Sequence, residues 1–226
     1  MPEYTVINPA TEQAVTTVTL STAAETDAAI ERAAAAQVSW RAVAPGDRAR
    51  LLRRFAAEVD AHAAELAALE VAGSGHPIGQ ATWEAEHVRD VLEYYAAAPE
   101  RLTGRQIPVA GGLNVTFHEP LGVVGLIVPW NFPMPIFAWG MAPALAAGNT
   151  VVAKPAEVTP LTARRIGELA LAAGLPEGVL TVLPGKGSVV GQRLVDHPAV
   201  CKIVFTGSTE VEIGRASCRE RVCMLV

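Results

Sequence analysis

The sequence predicts an α/β protein, a doubly wound parallel sheet preceded by a hairpin and a group of helices. Three observations carry this. Val123, Val124, Leu126, Ile127 and Val128 form a β-branched run that does not alternate with polar residues, as a parallel strand covered on both faces requires. Further strand-like runs at 150–153, 179–183 and 202–205 alternate with helix-forming stretches, which predicts crossover connections and a four-stranded parallel sheet. The first hundred residues are rich in alanine and carry apolar residues at helical rather than strand spacing.

Taken in order, two short β-prone runs, 4–7 and 14–20, flank the turn-forming group Asn8-Pro9-Ala10-Thr11-Glu12 and predict a hairpin. Thr22 and Glu25 have the spacing of a capping box, and the run to Arg41 reads as a helix with Ile30 and Val38 on its apolar side. With Pro45 in a first-turn position, Leu51, Phe55, Val59, Leu66 and Leu69 recur at helical spacing until Gly73, predicting one long helix. Another, over 79–98, sets Trp83, His87, Val91 and Tyr94 along one stripe; His87 and the arginines of these helices read as structural or solvated groups. Residues 101–120, punctuated by Gly104, Pro108, Gly111, Gly112 and Pro120, read as short strands and turns.

Pro129 ends the central strand because it cannot donate to a ladder, and Trp130-Asn131-Phe132-Pro133 follows at the carboxyl end, where open α/β sheets bind ligands. An apolar segment, 135–147, fits a buried helix stopped by Gly148-Asn149, and the next strand ends at Lys154. Thr159-Pro160 precedes a helix to Ala173 that closes at Gly174; the third strand runs into Gly185-Lys186-Gly187, a short helix continues to Val195, and the fourth strand enters Thr206-Gly207-Ser208-Thr209.

Half of the 226 residues are hydrophobic, enough for a sizeable core, and a net charge of −5 without a basic run argues against a nucleic-acid partner. The N-terminus has neither a basic nor an apolar targeting segment and there is no long apolar run, so a soluble, cytoplasmic protein with no membrane partner is expected. Cys201, Cys218 and Cys223 are odd in number and lack metal-ligand spacing; free thiols and no metal site are expected.

Gly185-x-Gly187-x-x-x-Gly191 is one residue too long for the dinucleotide fingerprint, and the order of a phosphate-binding P-loop is absent. Gly207-Ser208, at the start of a helix following a strand, is better placed to meet a pyrophosphate with free backbone N–H groups. Each has a plainer reading as turn glycine or N-cap.

PWNFP at 129–133, KPAE at 154–157 and FTGSTEV at 205–211, in this order and spacing, resemble the signatures of the aldehyde dehydrogenase superfamily, over roughly residues 5 to 211. The resemblance implies a Rossmann-like cofactor domain, an oxidoreductase converting an aldehyde to a carboxylic acid with NAD, NADP being possible, and a homo-oligomeric parent with 101–120 as its β-rich oligomerisation segment. It assigns Ile127, Val128, Pro129, Trp130, Lys154, Glu157, Gly187, Gly207, Ser208 and Val211 to the cofactor, with Lys154 and Glu157 at the adenosine ribose and Gly185 and Gly187 under its adenine. A carboxylate there favours a free ribose hydroxyl over a 2′-phosphate, hence NAD. It assigns Asn131 a catalytic role: its amide would donate to the oxyanion formed when a thiolate attacks the aldehyde. The alternative is a nucleotide-binding or structural module without redox chemistry.

In the resembled family the general-base Glu and nucleophilic Cys lie further on, so this chain reads as an inactive N-terminal fragment: helices to about residue 100, the β segment to 120, an incomplete cofactor core over 121–211, and no catalytic domain. Its last fifteen residues depart from the pattern. Glu212 replaces the family's glycine, and EIGRASCRERV at 212–222 resembles the in-frame translation of a common sequencing adapter, so 212–226 reads as a non-native tail. Cys201 reads as a small buried hydrophobe.

Overall fold

The computed structural model describes residues 2–207 and 222–224. β1 (Glu3–Ile7) and β2 (Ala14–Thr19) form the expected antiparallel hairpin. α1 (Ala23–Ala42) begins at the expected capping box: the Glu25 N–H donates to Thr22 Oγ1 at 3.2 Å and the Thr22 N–H donates to Glu25 Oε2 at 2.8 Å. Its buried face is not the expected one throughout. Ile30 is buried, but Val38 is 68% exposed, because eight residues carry a helix about 80° past two full turns. Trp40 fills the core instead, its indole N–H donating to the Leu145 carbonyl at 3.3 Å.

The long helix expected from Asp47 is two, α2 (Pro45–Ala61) and α3 (Ala63–Ser74), broken at His62, whose φ of −111° leaves the helical region. Phe55, Val59 and Leu66 are buried across the break, so the apolar period carries no trace of it. Gly73 does not stop α3; it is buried in the last turn, where a Cβ would touch Leu161, and Gly75 at φ 78° is the terminator. α4 (Ile78–Ala96) buries Ala81, Glu84, Ala85, Val88, Leu92 and Ala96. Small residues bring it close to its neighbours, and the stripe of Trp83, His87 and Tyr94 faces outward, Trp83 and Tyr94 being exposed. β3 (Gln106–Ile107) and β4 (Asn114–Val115) form an exposed two-residue ladder.

The central sheet holds β5 (Val123–Ile127), β6 (Thr150–Lys154), β7 (Leu180–Val182), β8 (Val200–Phe205) and β9 (Val222–Met224), all parallel, in the order β7-β6-β5-β8-β9. α5 (Pro133–Ala146) and α6 (Leu161–Ala172) cover one face, where Val124, Leu126, Val128, Val151 and Ala153 join a core continuous with α2 and α4. α1 and the short α7 (Gln192–Asp196) cover the other, where Val123, Ile127 and Val152 meet Ile30, Ala33, Leu194 and Ile203. The doubly wound parallel sheet is therefore as expected.

Two further expectations are corrected by the sheet. The sheet has five strands rather than four, the fifth drawn from the stretch read as a tail outside the fold. The open edge of β8 offers unpaired backbone groups, and pairing there is made by main chain rather than by a particular sequence. Cys201 is exposed rather than buried. The β5–β8 register passes from Val123↔Val200 to Val124↔Lys202, so Cys201 is the extra residue of a bulge, without a partner in that ladder, and alternation along β8 no longer predicts its side.

Candidate nucleotide groove

The chain leaves β5 for β6 and β7 on one side, then returns to the other side with β8, so a topological switch lies at the carboxyl ends of β5 and β8. A groove of about 640 Å³ opens there. It is lined by Ile127 at the end of β5 with Val128, Pro129, Trp130 and Asn131 beyond it, by Lys154 at the end of β6 with Ala156, by Gly187, and by Phe205 at the end of β8 with Thr206 and Gly207. Three stretches far apart in sequence thus meet at one sheet edge.

Local structure explains the placement of each. The Val128 N–H donates to the Lys154 carbonyl at 3.0 Å, one last rung before Pro129 ends the ladder. α5 starts at Pro133, a proline in its first turn, so the chain between is a short bridge that holds Trp130 (64% exposed) and Asn131 outside the core. Lys154 is buried at the end of β6, and its Nζ donates to the Pro155 carbonyl at 2.7 Å. Glu157 accepts from the Gly187 N–H at 3.2 Å, tying the turn after β6 to the start of the π-helical turn Gly187–Gly191. At Gly187 an added Cβ would meet only Lys154, at 4.0 Å, whereas at Gly207 it would lie 2.5 Å from the Phe205 ring. The first glycine keeps space open and the second permits a close approach.

Of the residues singled out from sequence, Ile127, Val128, Pro129, Trp130, Asn131, Lys154, Gly187 and Gly207 line this one groove and Glu157 adjoins it through Gly187. Ser208 and Val211 lie outside the described residues. Ala156, Phe205 and Thr206 also line the groove and were not singled out; all three sit within or beside the quoted motifs, and the end of an apolar strand was the available signal for Phe205. Cys201 stands at the opposite end of β8, four residues and about 13 Å from Phe205 at strand rise.

A second group was missed altogether: Glu70 of α3 and Glu84 of α4 are both buried and face His76 in the intervening turn. Burial pushes the Glu70 carboxyl above the usual carboxylate range. The available signal was Glu84 itself, a carboxylate at helical spacing among Ala81, Ala85 and Val88.

A profile of the aldehyde dehydrogenase family matches residues 2–221, and so runs into the stretch read as adapter-like. The chain is 45% identical over 212 residues to DhaS of Bacillus subtilis (strain 168), described as an aldehyde dehydrogenase, covering 90% of this chain and 42% of that protein. Among solved structures, the NAD⁺ complex of an aldehyde dehydrogenase from Bacillus cereus superposes with a TM-score of 0.95 at 36% identity, over 99% of this chain and 47% of that one. An E. coli NADP-dependent enzyme superposes with a TM-score of 0.96 at 35% identity, over 99% and 48%. The chain thus spans less than half the length of these relatives.

Proposed function

Because the chain belongs to the aldehyde dehydrogenase family, we propose that its groove is the nucleotide site of an enzyme that oxidises an aldehyde to a carboxylic acid with NAD. The observation that carries this reading is the convergence of the 129–131, 154–157 and 205–207 stretches at the carboxyl ends of three adjacent parallel strands.

The residues present fit a dinucleotide. Gly187 leaves the room that a Cβ would narrow, Ile127, Val128 and Phe205 supply apolar walls, and Lys154 and Glu157 supply one cation and one carboxylate for hydroxyl groups. When bound, the nicotinamide cofactor supplies the hydride acceptor. Lys154 and Glu157 would hold the adenosine ribose, and the Glu157 carboxylate would disfavour a 2′-phosphate, hence NAD over NADP. Ser208 and Val211 belong to the same proposed set.

Asn131 would act on the substrate. On a short bridge between β5 and α5 it presents an amide whose N–H donates without titrating, suited to the oxyanion that forms when a thiolate adds to an aldehyde. Cys201 is not that thiolate, given its place at the far end of β8. The thiol and general base belong to sequence beyond these motifs in the resembled family, so we propose no dehydrogenase turnover by this chain alone. The exposed apolar side chains Leu113 and Phe117 in the 101–120 segment, with Leu121 beside it, would be covered in a homo-oligomer of the full-length parent. Among the described residues no helix is long and apolar enough to cross a membrane.

Calorimetric titration of the chain with NAD and, separately, NADP tests the cofactor assignment. NAD should bind more tightly, and Glu157→Gln should narrow the difference. Equal affinity for both, or no binding of either, overturns it.

A further inference from the structure

Glu70, His76 and Glu84 each bring one ligand atom to within 4.8 Å of the others. Glu70 is 2% exposed and Glu84 0%, while the His76 side chain retains a narrow opening to solvent at 16%. Two carboxyl groups withdrawn from water must either hold a proton or be matched by a positive charge. The partner that could carry one is His76, whose Nδ1 lies 2.7 Å from Glu84 Oε1 and 3.8 Å from Glu70 Oε1.

The hydrogen bonds around the group orient both carboxylates and leave one oxygen of each unused. Thr162 Oγ1 donates to Glu70 Oε2 at 2.9 Å, and Gln80 Nε2 donates to Glu84 Oε1 at 3.0 Å. Glu70 Oε1 and Glu84 Oε2 are buried with no hydrogen-bond partner, and Glu70 Oε1 is aimed at His76. An unpaired buried acceptor is costly, and two carboxylates that each carry one, clustered with an imidazole, form the donor set of a metal site whose outer partners, Thr162 and Gln80, are already in place.

We propose that Glu70, His76 and Glu84 bind one divalent transition-metal ion of the Zn²⁺ class, at a site separate from the nucleotide groove. Two carboxylates and an imidazole nitrogen together match the charge of a divalent ion. The mixed nitrogen and oxygen donors favour zinc-class ions over calcium or magnesium, which take oxygen ligands. Donors around a tetrahedral ion bound at about 2.0–2.2 Å stand about 3.3–3.6 Å apart, so closing the present spread of up to 4.8 Å takes a movement of a little over about 1 Å, shared among three side chains. Three protein ligands leave a position for water at the solvent-facing side of His76. The His76 ring centroid lies 5.7 Å from that of Phe132, the neighbour of Asn131, so an ion here would fix the support on which the β5–α5 bridge rests.

The test uses the full chain, stripped of metal by dialysis against a chelator and titrated calorimetrically with ZnCl₂, with CoCl₂ as an absorption probe. The expected result is one equivalent bound, cobalt ligand-field bands without thiolate charge transfer, and at least about tenfold weaker zinc binding in Glu70→Gln and Glu84→Gln. Both variants preserve side-chain volume, and circular dichroism checks their fold; should either unfold, His76→Asn, at the opening, decides by the same loss of affinity. Substoichiometric uptake by the wild-type chain, thiolate charge-transfer bands, or wild-type affinity in the folded variants overturns the assignment.

Discussion

Asn131 is a polar side chain placed in solvent by its neighbours rather than by bonds of its own. Val128 closes the last rung to Lys154 and Pro133 opens α5, so replacing Asn131 removes an amide without disturbing either anchor. In the chain extended to the length of its relatives, Asn131→Ala should lower kcat by about 10²–10³, roughly 2.7–4 kcal/mol, with NAD affinity unchanged. Asn131→Asp should be worse, since a carboxylate repels an oxyanion; steady-state kinetics showing wild-type kcat with only a lowered Tm would make Asn131 a turn former. A second prediction concerns Asp27, which the Arg193 guanidinium grips through two hydrogen bonds of 2.6 and 2.8 Å, holding its carboxyl below the ordinary value of 3.8. A carboxylate lowered in the folded state contributes stability above its unfolded pKa and loses it as pH falls through the folded value. Asp27→Asn should therefore flatten the fall in Tm on acidification below about pH 4, as pH-dependent thermal melts would record. At this scale the groove residues were legible because PWNFP, KPAE and FTG are short motifs whose residues fall together in space. Cys201 was not, because a bulge changes which side a residue faces without leaving a mark in composition.

Among the elements, the α1 cap was readable to the residue because a capping box is local chemistry between positions three apart. Thr22→Ala should cost about 1 kcal/mol in urea unfolding, with Glu25→Ala losing part of the same term rather than adding to it. The break at His62 was invisible for the opposite reason: the buried positions on its two sides keep helical phase, and only the φ of one residue departs. The stripe of α4 that holds Trp83, His87 and Tyr94 is not its packed face, because close helix packing selects the small residues. β9 belongs to this scale too. We expect that resequencing the locus across codons 205–226 will replace the string after Val211, and that the native continuation will also supply an edge strand beside β8. Recovery of the same string from genomic DNA would refute the first expectation.

For the whole molecule, the 101–120 segment exposes Leu113 at 75% and Phe117 at 80%, and the adjoining Leu121 is 60% exposed. Light scattering coupled to size exclusion should find the extended protein as an oligomer, and Leu113→Asp with Phe117→Asp should shift it towards a smaller species; an unchanged mass would remove this segment from the interface. The fold class was legible throughout because unbroken apolar strands between helices admit few topologies, while the Glu70–Glu84 pairing was not, since it depends on how α3 and α4 cross.

The sheet is clothed unequally, and this has a consequence for its dynamics. Among the described residues, one face lies under α5 and α6 with α2 and α4 packed behind them; the other has α1 and the five residues of α7. Local opening begins where the fewest apolar contacts must be given up, so amide hydrogens of α7 and of the turn at Gly187–Gly191 should exchange with deuterium well before those of β5 and β6. Gly187 and its tie to Glu157 ride on that looser unit. A nucleotide seated against them would slow exchange there first, leaving the protected centre of the sheet almost unaltered.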